Sequence, residues 1–177
     1  MNIFAIDEHP IRAAHQMVDK HVVKMILEAG QMLSTSHRVL DGEEYYDRTK
    51  NNRRIKRWRL SDEREDKLWK ASFVNHPCTQ WTMESRMNYR WHATHALALC
   101  REYTHRYEKV HNSQGLIEYL FNREPLNIRE GGLTKFAVAM PDQYKVECSV
   151  ESYRNYYRGE KAYFAKWKNR DTPVWWE

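Results

Sequence analysis

The chain has 177 residues, of which 29 are Lys or Arg and 24 Asp or Glu, giving a net charge of +5. A chain of this length can form one domain with a sizeable core. Its mean hydropathy of -0.90 is offset by a 13% aromatic content, because each large ring can bury roughly 150–250 Å². Six glycines and five prolines favour long helices over many short strands. Cys78, Cys100 and Cys148 are scattered, without a C-x-x-C pair, which argues against a disulfide framework or a thiolate zinc site and for a reducing, cytoplasmic setting. No apolar run approaches the ~20 residues of a membrane helix, and the start lacks the pattern of a signal peptide. The basic balance favours an anionic partner, nucleic acid first.

In chain order, "MNIFAID" begins apolar and alternating, which predicts a short strand or an extended arm against the core. "EHPIRAAHQMV" predicts a short helix with Pro10 in its first turn. "DKHVVKMILEAGQMLST" opens a longer helix running to about Leu40, before Asp41-Gly42. Its apolar stripe is Val22, Met25, Ile26, Ala29, Met32 and Leu33. A second stripe, His21, Lys24, Glu28, Gln31 and Thr35, shares one face beside it. An imidazole, an ammonium and a carboxylate are thereby lined up along the edge of a buried side.

Residues 41 to 61 break the helical pattern. They hold Arg48, Lys50, Arg53, Arg54, Lys56, Arg57 and Arg59, with Trp58 among them. Such a tract suits phosphate contacts with a ring for stacking; a solvated charged loop is the bland reading. "SDEREDKLWKASF" predicts a helix capped by Ser61, with acids in its first turn. "NHPCTQWTMESRMNYRWHATHALALCREYTHRYEKVH" is the longest helical pattern, and "SQGLIEYLF" a short one. "NREPLNIREGGLTKFAVAMPDQYK" reads as loop, and a last helix covers about Ser149 to Trp167. That helix adds a second basic and aromatic group, including Arg154 and Arg158 beside several tyrosines. The expectation is an all-α, compact single-domain bundle of about five helices, residues 1 to 177, with a short N-terminal extended segment.

His92 and His95, with His76 and His105 nearby, lack recognised metal spacing; core or surface histidines are the better reading, and neither metal nor cofactor is expected. Phosphate-loop, G-x-S-x-G and H-x-E…C-x-x-C signatures are missing.

"DKHVVKMILE" resembles the start of the pyrimidine-dimer DNA glycosylases of the endonuclease V type, in which Asp-x-His is followed by a catalytic glutamate seven residues after the histidine. Asp19, His21 and Glu28 keep that spacing. "NHPCTQW" and "CREYTHRYEKVHNS" look like the family's later helix, at His76, Pro77, Trp81, Glu102, Arg106, His111 and Ser113. The resemblance covers about residues 1 to 113. It implies a helical fold that bends duplex DNA, everts a nucleotide beside a damaged pyrimidine, and attacks C1′ of the sugar with a free N-terminal amine assisted by the glutamate. An α-amine has an ordinary pKa of about 7.7–8.0 against about 10.4 for lysine, so more of it is nucleophilic at neutral pH. The family's best-known members expose a threonine after loss of the initiator Met. Here Asn2 disfavours that loss, which leaves Met1 where the threonine stands, with Lys20 and Lys24 as the other candidate amines.

The resulting expectation is a monomeric DNA glycosylase with AP-lyase chemistry and no membrane partner. Glu28, Met1, His21 and Lys24 would be catalytic, Lys20, Gln31, His76, Trp81 and Arg106 would bind substrate, and the 48–59 cations with Trp58, Arg154 and Arg158 would hold DNA. A nucleic-acid-binding protein without catalysis, and a nucleotide-modifying enzyme or nucleotide binder, are the alternatives.

Overall fold

In the computed structural model, residues 1 to 176 are described. Their elements in chain order are α1 (Pro10–Gln16), α2 (Asp19–Asp41), β1 (Glu43–Arg48), β2 (Arg54–Arg59), α3 (Arg64–Lys67), α4 (Pro77–Glu84), α5 (Arg86–Tyr107), α6 (Gln114–Phe121) and α7 (Ser149–Glu160), with three short 3₁₀ turns after α6. The fold is mostly helical. It departs from the expected all-α bundle of five helices by having seven helices and a two-stranded antiparallel sheet, paired from Glu43↔Arg59 to Arg48↔Arg54.

The longest helix, α2, has 23 residues and spans roughly 34 Å. It packs against α5, which also holds α1 and α6. Gly30 permits one close approach: a Cβ there would lie 2.9 Å from the Trp69 ring. The single helical pattern expected from Asn75 to His111 is two helices. Ser85 leaves the helical region, and its hydroxyl accepts from the Asn88 N–H at 3.1 Å, so a cap begins α5 where the spacing alone continues α4. The helix expected over Ser61 to Phe73 shrinks to the four residues of α3, because Arg38 claims that backbone. Its guanidinium donates to the carbonyls of Trp58, Glu65, Leu68 and Trp69. The last helix stops at Glu160, short of Trp167.

Residues 1 to 9 form no strand. They run through the bundle as irregular chain, turned where the Ile6 N–H donates to Phe4 O at 2.8 Å, with Ile3, Phe4, Ala5 and Ile6 buried in the common hydrophobic cluster. Their carbonyls are met by side chains: Arg154 Nε donates to Ile6 O at 3.0 Å and Trp91 Nε1 to Glu8 O at 2.6 Å. Irregular backbone in a core needs such partners, since an unpaired buried carbonyl is costly.

Three histidines of the interior are part of this packing. His37 shares a 2.8 Å hydrogen bond with Tyr89 Oη, His92 one of 2.8 Å with Thr82 Oγ1, and His95 one of 2.9 Å with Pro10 O. Burial lowers their pKa values to about 4, 3 and 4, helped at His37 by the Arg64 guanidinium. Unfolded, each would take a proton near pH 6.5. The unfolded chain therefore binds more protons between about pH 4 and 6.5, and stability is complete above that window and lost as pH falls through it. The melting temperature is expected to fall steadily from pH 7 to pH 4, as each histidine removes up to about 1.4 kcal/mol of unfolding free energy per pH unit. A flat profile over that range, followed by calorimetry, would contradict three neutral buried imidazoles.

Candidate functional site: an amine and a carboxylate at the end of a threaded segment

The N-terminal segment runs along α2, and the two are in register. Phe4 stacks on His21, ring centroids 4.2 Å apart, and Asn2 reaches Glu28. Seven residues of helix advance roughly 10.5 Å; three extended residues advance about 10 Å. The spacing that puts His21 and Glu28 on one face thus matches the reach from Phe4 to Met1.

Glu28 is 7% exposed and meets three nitrogens. Oε2 accepts from the Asn2 N–H at 2.9 Å and lies 3.6 Å from the Met1 nitrogen; Oε1 lies 3.2 Å from Lys24 Nζ. The Met1 side chain is 3% exposed, with Sδ 3.9 Å from Thr79 Oγ1. Since the residue as a whole is half-buried, the accessible part of Met1 is its main chain. Asn2 secures this end. Its Nδ2 donates to Ala139 O at 2.8 Å, and its Oδ1 accepts from Phe4 N at 3.2 Å. Nothing in the sequence marks Asn2 as a partner of Glu28, because what it offers the carboxylate is a backbone N–H that any residue but proline has.

His21 does not touch Glu28. It is enclosed by Phe4, Tyr157 and Phe164, with Nδ1 2.6 Å from Tyr157 Oη. Burial, with Lys161 and Lys24 nearby, lowers its pKa to about 3, so at neutral pH it is an uncharged clamp on Phe4. Lys24 is exposed and Gln31 half-buried, one turn beyond Glu28 on the same face. Lys20 is exposed and its Nζ sits 4.9 Å from the Phe164 ring. His76 caps α4, its Nδ1 accepting from the Cys78 N–H at 3.2 Å. Burial and then the Met1 amine lower its pKa, while Glu28 opposes them; the imidazole therefore faces this cluster in its neutral form.

One open groove, of about 500 Å³, reaches the cluster through Lys24, with Leu27 and Tyr103 on its wall; another, of about 650 Å³, is lined by Pro77, Gln80 and Trp81. Neither is lined by Met1 or Glu28. Both lie within the volume range of small-molecule sites, about 300–1,000 Å³.

Other expected contact residues have internal partners. Trp81 is 3% exposed and packs on Trp91 and Phe136. Arg154 is tied to Ile6 O and lies over the Trp175 ring. Arg158 donates to Trp175 O and Glu151. Arg48, Lys50, Arg53, Arg54, Lys56 and Arg59 are exposed on the β1–β2 hairpin and its tip, with Arg57 and Trp58 half-buried there. Arg106, expected to bind substrate, is instead fully buried. It donates to Glu102 at 2.7 Å, Asp19 at 2.8 Å, Met17 O at 2.9 Å and His15 O at 2.9 Å. Burial alone would raise the Glu102 carboxyl, but hydrogen bonds from Arg170 and Arg106 hold its pKa below the usual range. This network joins α1, the start of α2, α5 and the C-terminal tail, about 13 Å along α2 from Glu28.

No protein-family model matches the chain, and no curated protein or solved structure resembles it significantly. No helix among the described residues is long and apolar enough to cross a membrane, and no group of three or more metal-ligating side chains occurs among them. Fold and site together define a mostly helical, cationic scaffold that presents a main-chain nitrogen to a buried carboxylate.

Replacing Arg106 by methionine is expected to cost about 3–5 kcal/mol in denaturant unfolding, because Asp19 loses its guanidinium, Glu102 keeps only Arg170, and the His15 and Met17 carbonyls lose their donor. A loss below about 1 kcal/mol, with substrate affinity reduced, would return Arg106 to a binding role.

Proposed function

We propose that the chain is a DNA glycosylase with an associated lyase step, acting on a damaged or modified pyrimidine everted from the duplex. The observation that carries this reading is the 3.6 Å separation of the Met1 nitrogen from Glu28 Oε2. The resemblance at Asp19, His21 and Glu28 agrees with it.

The chemistry follows from the two groups. The unprotonated Met1 nitrogen attacks C1′ as the glycosidic bond breaks, and the bonding pair leaves with the base, which takes up a proton. Glu28 accepts the proton released by the new C1′–N bond and offsets positive charge growing on the sugar. The C1′–O4′ bond then breaks as the nitrogen lone pair forms an iminium, O4′ takes the proton held by Glu28, and the iminium acidifies C2′. The carboxylate so regenerated removes a C2′ proton, and the C–H pair expels the 3′ phosphate. A carboxylate held by the Asn2 N–H on one oxygen and by Lys24 on the other is oriented before substrate arrives, which lowers the cost of reaching the reactive geometry. Lys24 is a second amine on the same carboxylate, but its exposed stem leaves it less fixed than a nitrogen whose own side chain is buried.

Borohydride added during reaction with dimer-containing or abasic duplex is expected to trap a covalent adduct that maps to Met1 by peptide mass spectrometry. Glu28→Gln should keep the Asn2 contact and lower turnover by about 10²–10⁴-fold. One residue added ahead of Met1 should abolish the adduct. An adduct on Lys24 would overturn the assignment of the nucleophile, and no adduct on any pyrimidine lesion would overturn the reading.

A further inference from the structure

The β1–β2 segment takes no part in the core and is densely cationic. Residues 43 to 59 hold seven Lys and Arg against three acids, and no residue of β1 or β2 is buried. Packing therefore does not dictate this sequence. Among the described residues the hairpin makes one ion pair, Lys56 Nζ to Glu44 Oε1 at 3.0 Å; six of its cations have no carboxylate partner, and this exposed pair is weak enough for Lys56 to exchange its carboxylate for a phosphate.

An isolated two-stranded hairpin is marginal in water, yet this one is held at both ends. At its base, the buried Arg38 donates to Trp58 O at 3.1 Å, and a Cβ at Gly42 would lie 2.5 Å from Arg38 O. At its tip, the Asn52 N–H donates to Thr49 O at 2.9 Å with Asn52 at φ 59°, the turn and left-handed residue typical of a three-residue loop. Arg48 Nη1 donates to Asn52 O and Oδ1 at 3.2 and 3.1 Å.

The register gives the ribbon two faces. Tyr45, Asp47, Ile55 and Arg57 are half-buried, whereas Glu44, Tyr46, Arg48, Arg54 and Lys56 are exposed. Directly opposed residues share a face, so Tyr46 and Lys56, Arg48 and Arg54, and Glu44 and Trp58 point the same way. The Arg54 guanidinium lies 3.6 Å from the Tyr46 ring centroid and Lys56 Nζ 6.0 Å from that of Trp58.

We propose that the β1–β2 ribbon is an arm that lies in a groove of duplex DNA, with Arg48, Arg54 and Lys56 of its outward face on the phosphates. A two-stranded ribbon fits the major groove, which is about 12 Å wide. A sheet that reads single strands offers open aromatic faces for bases to stack on. Here Arg54 covers Tyr46 and Trp58 is half-buried, so cations are the groups turned outward. Their stacking on rings also fixes long side chains in advance, lowering the entropy lost on binding. The proposal stands on the ribbon's own geometry and does not require Glu28 to be catalytic.

The test measures binding of an undamaged 20-base-pair duplex by fluorescence anisotropy from 50 to 200 mM salt, with Glu28→Gln as the parent so that turnover does not interfere. Replacing Arg48, Arg54 and Lys56 together by glutamine is expected to make the slope of log K against log salt less negative by about 2.7. A 20-nucleotide single strand should bind more weakly than the duplex. Saturating duplex should also slow tryptic cleavage after Lys50 and Arg53 in the unaltered chain, a readout that needs no variant to fold. An unchanged slope, equal affinity for the single strand, or unprotected cleavage would each overturn the proposal. Ribbon-dependent duplex binding without a borohydride adduct would sink the glycosylase reading alone; adduct formation by the triple variant at parental duplex affinity would sink the ribbon alone.

Discussion

The site depends on one constraint, the threading of the chain's first residues through the middle of a helical bundle. Ile3 to Ile6 are buried, and the segment's position is fixed by partners from α5, α7 and the 137–140 loop. Phe4 adopts a φ of 44°, an unfavourable conformation for a bulky residue that costs on the order of 1–3 kcal/mol. It is held there by stacking on His21 and Tyr156 and by edge contacts with Tyr153 and Tyr157. The polar stripe of α2 therefore has divided labour. Its first member clamps the segment, and its third receives the segment's end two turns later.

That division shows how far the sequence could be read. The periodicity of α2 places His21, Lys24, Glu28 and Gln31 on one edge, and an apolar start against the core follows from "NIFAI". Periodicity assigns a face; it does not distinguish a histidine that holds a ring from one that moves a proton. The difference lies in Tyr157 and Phe164, more than 130 residues away. The β1–β2 hairpin was illegible for a related reason. Strands are recognised by apolar residues alternating with polar ones, and neither face of this ribbon joins the core, so its polar sequence reads as loop. Ser85 is different. A serine three residues before Asn88 in the middle of a helical pattern is a cap signal, and it lay within reach of the sequence.

Charge counts mislead in the same way. Arg38, Arg64 and Arg106 add to the basic balance, yet all three are buried and committed. Arg38 ties the hairpin base to Glu65 and to four backbone carbonyls. Arg64 binds Asp41, Asp62 and His37, and Arg106 binds Glu102 and Asp19. A guanidinium with several fixed donors suits such junctions, where it satisfies loop carbonyls that no helix or strand would pair. Removing these arginines from the count leaves the ribbon as the densest run of unpaired cations, with others, among them Lys20, Lys67, Lys109 and Lys135, spread over the rest of the surface. The cations that shape the fold and those open to a partner are separate sets, which composition merges.

The carboxylate of Glu28 belongs to neither set. Burying an ion pair is a weak source of stability, since the desolvation of both groups offsets much of their attraction. An apolar residue at position 28 would spare that desolvation but leave the buried Asn2 N–H without its acceptor, at a cost of about 1–3 kcal/mol. Arg106 and Arg64 each satisfy or join distant segments, which gives their burial a structural return. Glu28 joins only the first two residues of the chain and one lysine of its own helix, and Ile3 to Ile6 already anchor that segment. A neutral glutamine would satisfy that N–H without a buried charge, so what the acid adds over it is a carboxylate 3.6 Å from the Met1 nitrogen.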